Sequence, residues 1–189
     1  ELIMPYARTG SPNAALRFFQ RYATDEEEAL RMLESLGEQY YDTGHWDETI
    51  AVYHQLMAER PNSDHLCKWQ SKVTNATISK NSDRTAHVRE LSRLRDIQAR
   101  FVADTAHPEA ARNECKAETA TVLLWQAVGL HREAVGADDE HPGTNNVETM
   151  RAAAALYQLI LDGYPDLDTL QFADIDAPDW VWDIGTIQL

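Results

Sequence analysis

The chain has 189 residues, 43 % of them hydrophobic and 25 % charged, and its 17 basic and 31 acidic side chains leave a formal net charge of −14. That composition supports a packed core and excludes a disordered or low-complexity chain. The acidic balance excludes general nucleic-acid binding, which needs a basic surface to meet phosphates, and no apolar run approaches the roughly 20 residues of a membrane span.

The chain opens on Glu1 without a charged-then-apolar leader, which reads as a piece of a longer or processed protein. From there helical periodicity dominates and alternating β-branched runs are nearly absent, so the expected fold class is all-α. Ser11-Pro12 opens a helix over 12–22. Thr24 to Glu27 has the form of a capping box for a helix over 25–42, which carries Leu30, Leu33, Leu36, Gly37 and Tyr40 on one face. Gly44 ends it. Asp47 is placed to cap a third helix that runs to about Arg60 and stops before Pro61.

Leu66, Trp69 and Val73 mark a helix over 64–79, and Asn81-Ser82-Asp83 reads as a turn and cap. Val88, Leu91, Leu94, Ile97 and Phe101 form the stripe of a helix over 84–103. His107 reads as a cap, and Pro108 as a first-turn residue of a helix over 108–135 with Val122, Leu123, Leu124, Trp125 and Val128 as its apolar positions. Trp46, Trp69 and Trp125 all fit a helical core. A polar loop follows over 136–146, with the acidic run Asp138-Asp139-Glu140. Asn145 or Asn146 caps a helix over 147–162, which ends at Gly163-Tyr164-Pro165. Residues 166–189 are an acidic, aromatic tail or capping segment, in which Trp180 and Trp182 fit a cap on the array or an anchor for a partner.

Charge is uneven along the chain: −6 over residues 1–63, +3 over 64–104 and −11 over 105–189. A basic middle between acidic flanks can orient a partner, or it can be no more than solvated helix surface.

An internal repeat is also present. Thr49, Tyr53, Leu56 and Pro61 match Ala153, Tyr157, Ile160 and Pro165 at a constant offset of 104 residues. Leu33 to Pro61 resembles a tetratricopeptide repeat. Leu36-Gly37 and Tyr40 stand at its Leu-Gly and Tyr positions, Gly44 and Trp46 at its turn, Tyr53 at the aromatic of its second helix, and Pro61 at its terminal proline. Small residues at Gly37 and Thr49 let the two helices approach closely. Leu33 stands where the family often has Trp, and Thr49 where it prefers Ala.

The resemblance implies a right-handed superhelical solenoid of antiparallel helix pairs over residues 1–165. It would hold a truncated repeat at 12–22, a repeat at 25–61, a degenerate repeat at 64–104, and a repeat with an inserted loop at 108–165. The Arg-Pro-Asn and Tyr-Pro-Asp helix ends resemble tetratricopeptide proteins of bacterial cell envelopes, and the pair Cys67-Lys68 and Cys115-Lys116, within long irregular repeats, resembles those of gliding myxobacteria. This implies a periplasmic or envelope location, with cytoplasm as the alternative.

In this family the first helices line a concave face that usually binds a peptide or protein. Carried over residue by residue, that face presents Arg31, Glu34, Glu38, Tyr41 and Asp42 from the first full repeat and Lys68, Lys72 and Asn75 from the next. The function expected is therefore a non-catalytic scaffold for a protein or peptide partner. The alternative is an architectural or regulatory segment packed on neighbouring domains. Cys67 and Cys115 fall near the starts of successive first helices, so a disulfide between them is geometrically open, as is a pair of buried thiols.

No further chemistry is expected. The seven histidines form no His-x-x-x-His or His-Glu-x-x-His pair. The acidic groups at 138–140 and at Asp174, Asp176 and Asp179 lack the ordered spacing of a calcium loop. No Gly-x-Ser-x-Gly or phosphate-binding glycine loop is found, and neither a cofactor nor a metal is expected.

Overall fold

The computed structural model describes residues 11–138 and 141–164. The tail over 166–189, with Trp180 and Trp182, lies outside the described residues, as do Pro165, Asp139 and Glu140. The described residues are all-α apart from one short pair of strands, in agreement with the expected class. They fall into two compact units that divide after Ser82, between the two helices that the sequence reading groups as the repeat over 64–104.

The first unit holds α1 (Pro12–Tyr22), α2 (Glu26–Asp42), α3 (Trp46–Glu59) and α4 (Leu66–Lys80). α1 packs on α2 and α3, and α3 packs between α2 and α4. The five expected positions of α2 (Leu30, Leu33, Leu36, Gly37 and Tyr40) are all buried. They meet Phe19 of α1 and Val52, Tyr53 and Leu56 of α3 in one cluster, which Trp69 and Val73 of α4 complete. Each fully buried leucine there stabilises the fold by about 2 kcal/mol. Gly37 is needed for this packing: a Cβ added to it would lie 2.9 Å from Val52 Cγ1 and 3.2 Å from the Tyr53 ring.

The helix ends differ in detail from the sequence expectation. Asp25, not Thr24, caps α2, and its carboxylate accepts from the Glu28 N–H at 2.7 Å. The Glu28 carboxylate in turn accepts the Thr24 N–H at 2.6 Å and its hydroxyl at 2.7 Å. The box is shifted by one residue because Asp25 offers a charged acceptor to the positive end of the helix. The Thr24 bonds hold the Glu28 carboxyl below its ordinary range. At the next junction His45, not Asp47, stands at the cap position of α3 and makes no side-chain cap bond. Its ring nitrogen is 2.8 Å from the Thr43 hydroxyl instead. Asp47 lies inside the first turn, where it pairs with Lys80.

The second unit holds α5 (Arg84–Ala103), α6 (Glu109–Val135) and α7 (Val147–Gly163), each packed on the other two. Asp83 and Asn146 cap α5 and α7 through their side chains. Pro108 stands at the cap position of α6 and not in its first turn. His107, expected as a cap, lies one residue before that position, and its ring stacks on Phe101 with centroids 3.8 Å apart. Leu91, Leu94 and Phe101 of α5, Leu123 and Leu124 of α6, and Leu156 and Ile160 of α7 are all buried. Trp125, expected in the core, is 54 % exposed. Four consecutive apolar residues cannot share one face of a helix with 3.6 residues per turn, and Leu123 and Leu124 take the interior.

The expected loop over 136–146 contains two short antiparallel strands, β1 (Gly136–Asp138) and β2 (His141–Pro142). The chain then turns back onto the end of α6. The Thr144 and Asn145 N–H groups donate to the Glu133 and Ala134 carbonyls at 2.9 and 2.8 Å. Gly143 lies so close to that helix end that a Cβ would collide with the Ala134 carbonyl oxygen and the Val135 and Gly136 backbone.

Candidate functional site

The residues expected on a binding face are brought together in the first unit. On α2, Glu34, Glu38 and Tyr41 recur at steps of four and three residues, which places them on one side of the helix. Lys68, Lys72 and Asn75 recur at the same steps on α4. The two rows meet as a ladder. Glu38 takes Lys68 on one carboxylate oxygen at 3.1 Å and Lys72 on the other at 2.8 Å. Glu34 Oε1 accepts from Lys68 at 3.3 Å. The Lys72 ammonium also lies over the Tyr41 ring, 3.9 Å from its centre, a cation–π contact.

The ladder is neither core nor free surface. The side chains of Glu34 and Lys72 are 17 % and 21 % exposed, and those of Glu38 and Lys68 are 32 % and 44 % exposed. Burial pushes the Glu38 carboxyl up, but the hydrogen bonds from Lys72 and Lys68 outweigh it, and the group stays below its ordinary value of 4.5. Burial likewise pushes Lys68 down, but its bonds to Glu38 and Glu34 raise it above its ordinary 10.5. Both shifts favour the charged forms. Asn75 is half-buried further along α4, while Arg31 and Asp42 are exposed at either end of the α2 row.

Three further residues complete the site, and the sequence reading did not assign them to it. Trp69 is buried, as expected of a core residue, yet its indole N–H donates to Glu34 Oε1 at 3.0 Å. His65 places its Nδ1 3.5 Å from the same oxygen. Tyr53 lies behind the ladder, fully buried, with its hydroxyl near Glu38 but without a well-formed hydrogen bond. Burial, then the charges of Glu38 and Glu34, hold that hydroxyl far above the usual tyrosine range. The signal for Trp69 and His65 lay in their helical spacing: from His65 at the cap position of α4, Lys68, Trp69 and Lys72 follow at steps of three and four residues.

Beside the ladder, a cleft of about 520 Å³ opens between α2 and the connection from α3 to α4. Arg31 and Glu34 line one wall, and Arg60, Pro61, His65 and Trp69 the other. Arg60 is held by Glu26 at 3.1 Å and Glu27 at 3.8 Å, whereas Arg31 forms no ion pair among the described residues. The site thus offers a polar strip of fixed geometry with aromatic edges, leading into a cleft lined by the exposed Arg31 guanidinium.

Cys67 and Cys115 are both 2 % exposed, and both are disulfide-bonded. Among the described residues, no group of three or more His, Cys, Asp or Glu side chains is arranged to hold a metal ion, and no helix is long and apolar enough to cross a membrane. In comparison with known proteins, the chain matches no family model, no curated protein and no solved structure.

Proposed function

We propose that the chain is a tetratricopeptide-like module that binds a protein or peptide along the strip formed by α2 and α4 and carries out no catalysis of its own. One observation carries this reading. Glu34 pairs with Lys68 and Glu38 with Lys72 across a separation of 34 residues in each case, which is the period of the tetratricopeptide repeat. Corresponding positions of two successive first helices lie side by side in that architecture, and those helices line its binding face. The tight seat of Gly37 on Val52 and Tyr53 supports the same reading.

The partner fits the surface as follows. The ladder charges neutralise one another, so they hold the face rigid and contribute mainly specificity. The cleft with Arg31 then supplies the anchoring pocket. The disulfide-bonded state of the cysteines supports an oxidising compartment such as a periplasm or cell envelope.

A second reading, an architectural segment packed on neighbouring domains, is favoured by exposed apolar side chains. Tyr22 is 61 % exposed, Trp125 54 % and Val147 56 %. Affinity capture from the source organism separates the two. The chain is compared with a variant in which Arg31, Glu34, Glu38 and Tyr41 are alanine, and with Arg31→Ala alone, which leaves the ladder intact. A protein retained by the chain, lost by the quadruple variant and weakened by Arg31→Ala supports the groove. Identical capture by all three, or by none, defeats it and favours the architectural reading.

A further inference from the structure

We propose a second ligand site, in the second unit: a cleft between α5 and α7 that binds an acidic peptide segment of a partner protein through Arg89 and Arg151. It is independent of the α2–α4 reading and shares no residue with it. The cleft measures about 700 Å³, within the usual range of ligand pockets. Its walls are one face of each helix. Thr85, Val88 and Arg89 recur at helical steps on α5, and Glu148, Arg151, Ala152 and Ala155 do so on α7.

Most of the charges at this place are already engaged. Arg84 Nη2 donates to both carboxylate oxygens of Glu133 at 2.6 Å, and the Thr149 hydroxyl reaches the same carboxylate at 3.4 Å. The Asp83 carboxylate accepts the Thr85 N–H at 2.9 Å as the cap of α5. Arg89 and Arg151 are exposed and form no ion pair among the described residues. In a chain with 31 acidic and 17 basic side chains, two arginines on facing helices stand without an ion pair among the described residues, although Glu148 lies three residues before Arg151 on the same wall.

The chemistry of the walls selects the occupant. A guanidinium holds a carboxylate through two parallel N–H bonds, a geometry that an ammonium cannot reproduce. Val88, Ala152 and Ala155 line the same cleft. Small side chains there let a peptide backbone lie close to α7. The exposed Glu148 on the same wall can accept a backbone N–H from that segment. A peptide with two carboxylates flanking a small apolar residue satisfies all of these groups. A nucleic acid also carries negative charge, but its sugar–phosphate backbone has no N–H to offer Glu148.

The test uses the full chain and a fluorescein-labelled peptide of alternating aspartate and alanine, read by fluorescence anisotropy at low salt. Comparison probes are the same peptide with lysine for aspartate and a labelled oligothymidylate. The aspartate peptide is expected to bind and the lysine peptide to fail. Arg89→Gln and Arg151→Gln should each weaken binding about tenfold, and the corresponding lysine variants by less. Arg21→Gln, on α1, should leave it unchanged. Ala155→Leu should block binding without altering charge, which separates the cleft from a general charge effect. Absence of aspartate-peptide binding overturns the proposal. So do glutamine variants that bind as tightly as the unaltered chain, or tighter binding of the oligothymidylate.

Discussion

Tyr53 in the first unit and Tyr157 in the second stand at matching positions of one pattern, with Thr49 and Leu56 around the former and Ala153 and Ile160 around the latter. All six residues are buried. Their hydroxyls end in different surroundings. That of Tyr53 lies near Glu38, behind the ladder, without a well-formed hydrogen bond, whereas that of Tyr157 is 3.2 Å from His131 Nδ1. The second unit buries a further tyrosine, Tyr164, whose hydroxyl donates to Gln98 Oε1 at 3.3 Å. The same apolar code therefore builds both helix pairings, while the polar rim is specific to each. In the first unit that rim is organised into a face. In the second unit tyrosine hydroxyls are satisfied inside the fold.

The two units also depend on close approach in different ways, and the largest expected effect comes from there. Gly143→Ala in the second unit places a methyl group against backbone that cannot rotate away, and should destabilise that unit by about 3 kcal/mol. Gly37→Ala meets a valine methyl and a tyrosine ring edge that can shift. Alanine also gains about 1 kcal/mol of helix propensity over glycine. The net loss should be about 1 kcal/mol, read as a shift in urea midpoint. Equal losses at the two glycines would remove the contrast between rigid and yielding contacts.

The tyrosines sharpen the comparison. Tyr157→Phe removes the hydroxyl's contact with His131 and should cost about 1 kcal/mol. Tyr53→Phe removes a hydroxyl whose contact with Glu38 is poorly formed, and should cost less than Tyr157→Phe in thermal unfolding. A loss at Tyr53 equal to that at Tyr157 would show that its hydroxyl is satisfied after all.

The ladder gives a pH-dependent version of the same contrast. The Glu38 carboxyl is held below 4.5, so its contribution is complete above that pH and is lost as pH falls through the lowered value. Lys68 is held above 10.5, so its contribution is complete below that pH and is lost as pH rises through the raised value. Glu38→Gln should cost about 1 kcal/mol at neutral pH, a small figure because the pair is partly solvated. It should also flatten the acid limb of a stability profile taken below pH 4.5. An unchanged acid limb would mean that the ladder contributes nothing to folding.

Much of this fold was legible in the sequence, for identifiable reasons. The helix of Leu30, Leu33, Leu36 and Tyr40 declares itself by spacing, and the seven helices of the described residues lie within a residue or two of their expected bounds. Helix ends were less legible, since Thr24 and Asp25 are both good caps and a choice between adjacent ones depends on local geometry. The run from Val122 to Trp125 is apolar throughout and carries no period, so the exposure of Trp125 could not be read from it. The strand pair at Gly136–Asp138 and His141–Pro142 is too short to leave an alternating pattern. For the candidate site, the residues of the two rows were legible from repeat positions. Their mutual pairing was implicit in the 34-residue offset. What the offset could not show is that Trp69 and His65 also turn toward Glu34, or that Tyr53 lies buried behind them.

The claim that α2 and α4 form a partner-binding strip is tested most directly by hydrogen–deuterium exchange of the full chain, with and without the protein captured in the affinity experiment. The account predicts that the partner slows exchange in residues 26–42 and 66–80, and that Arg31→Ala diminishes that protection. Protection confined to other helices, or none at all, would contradict it.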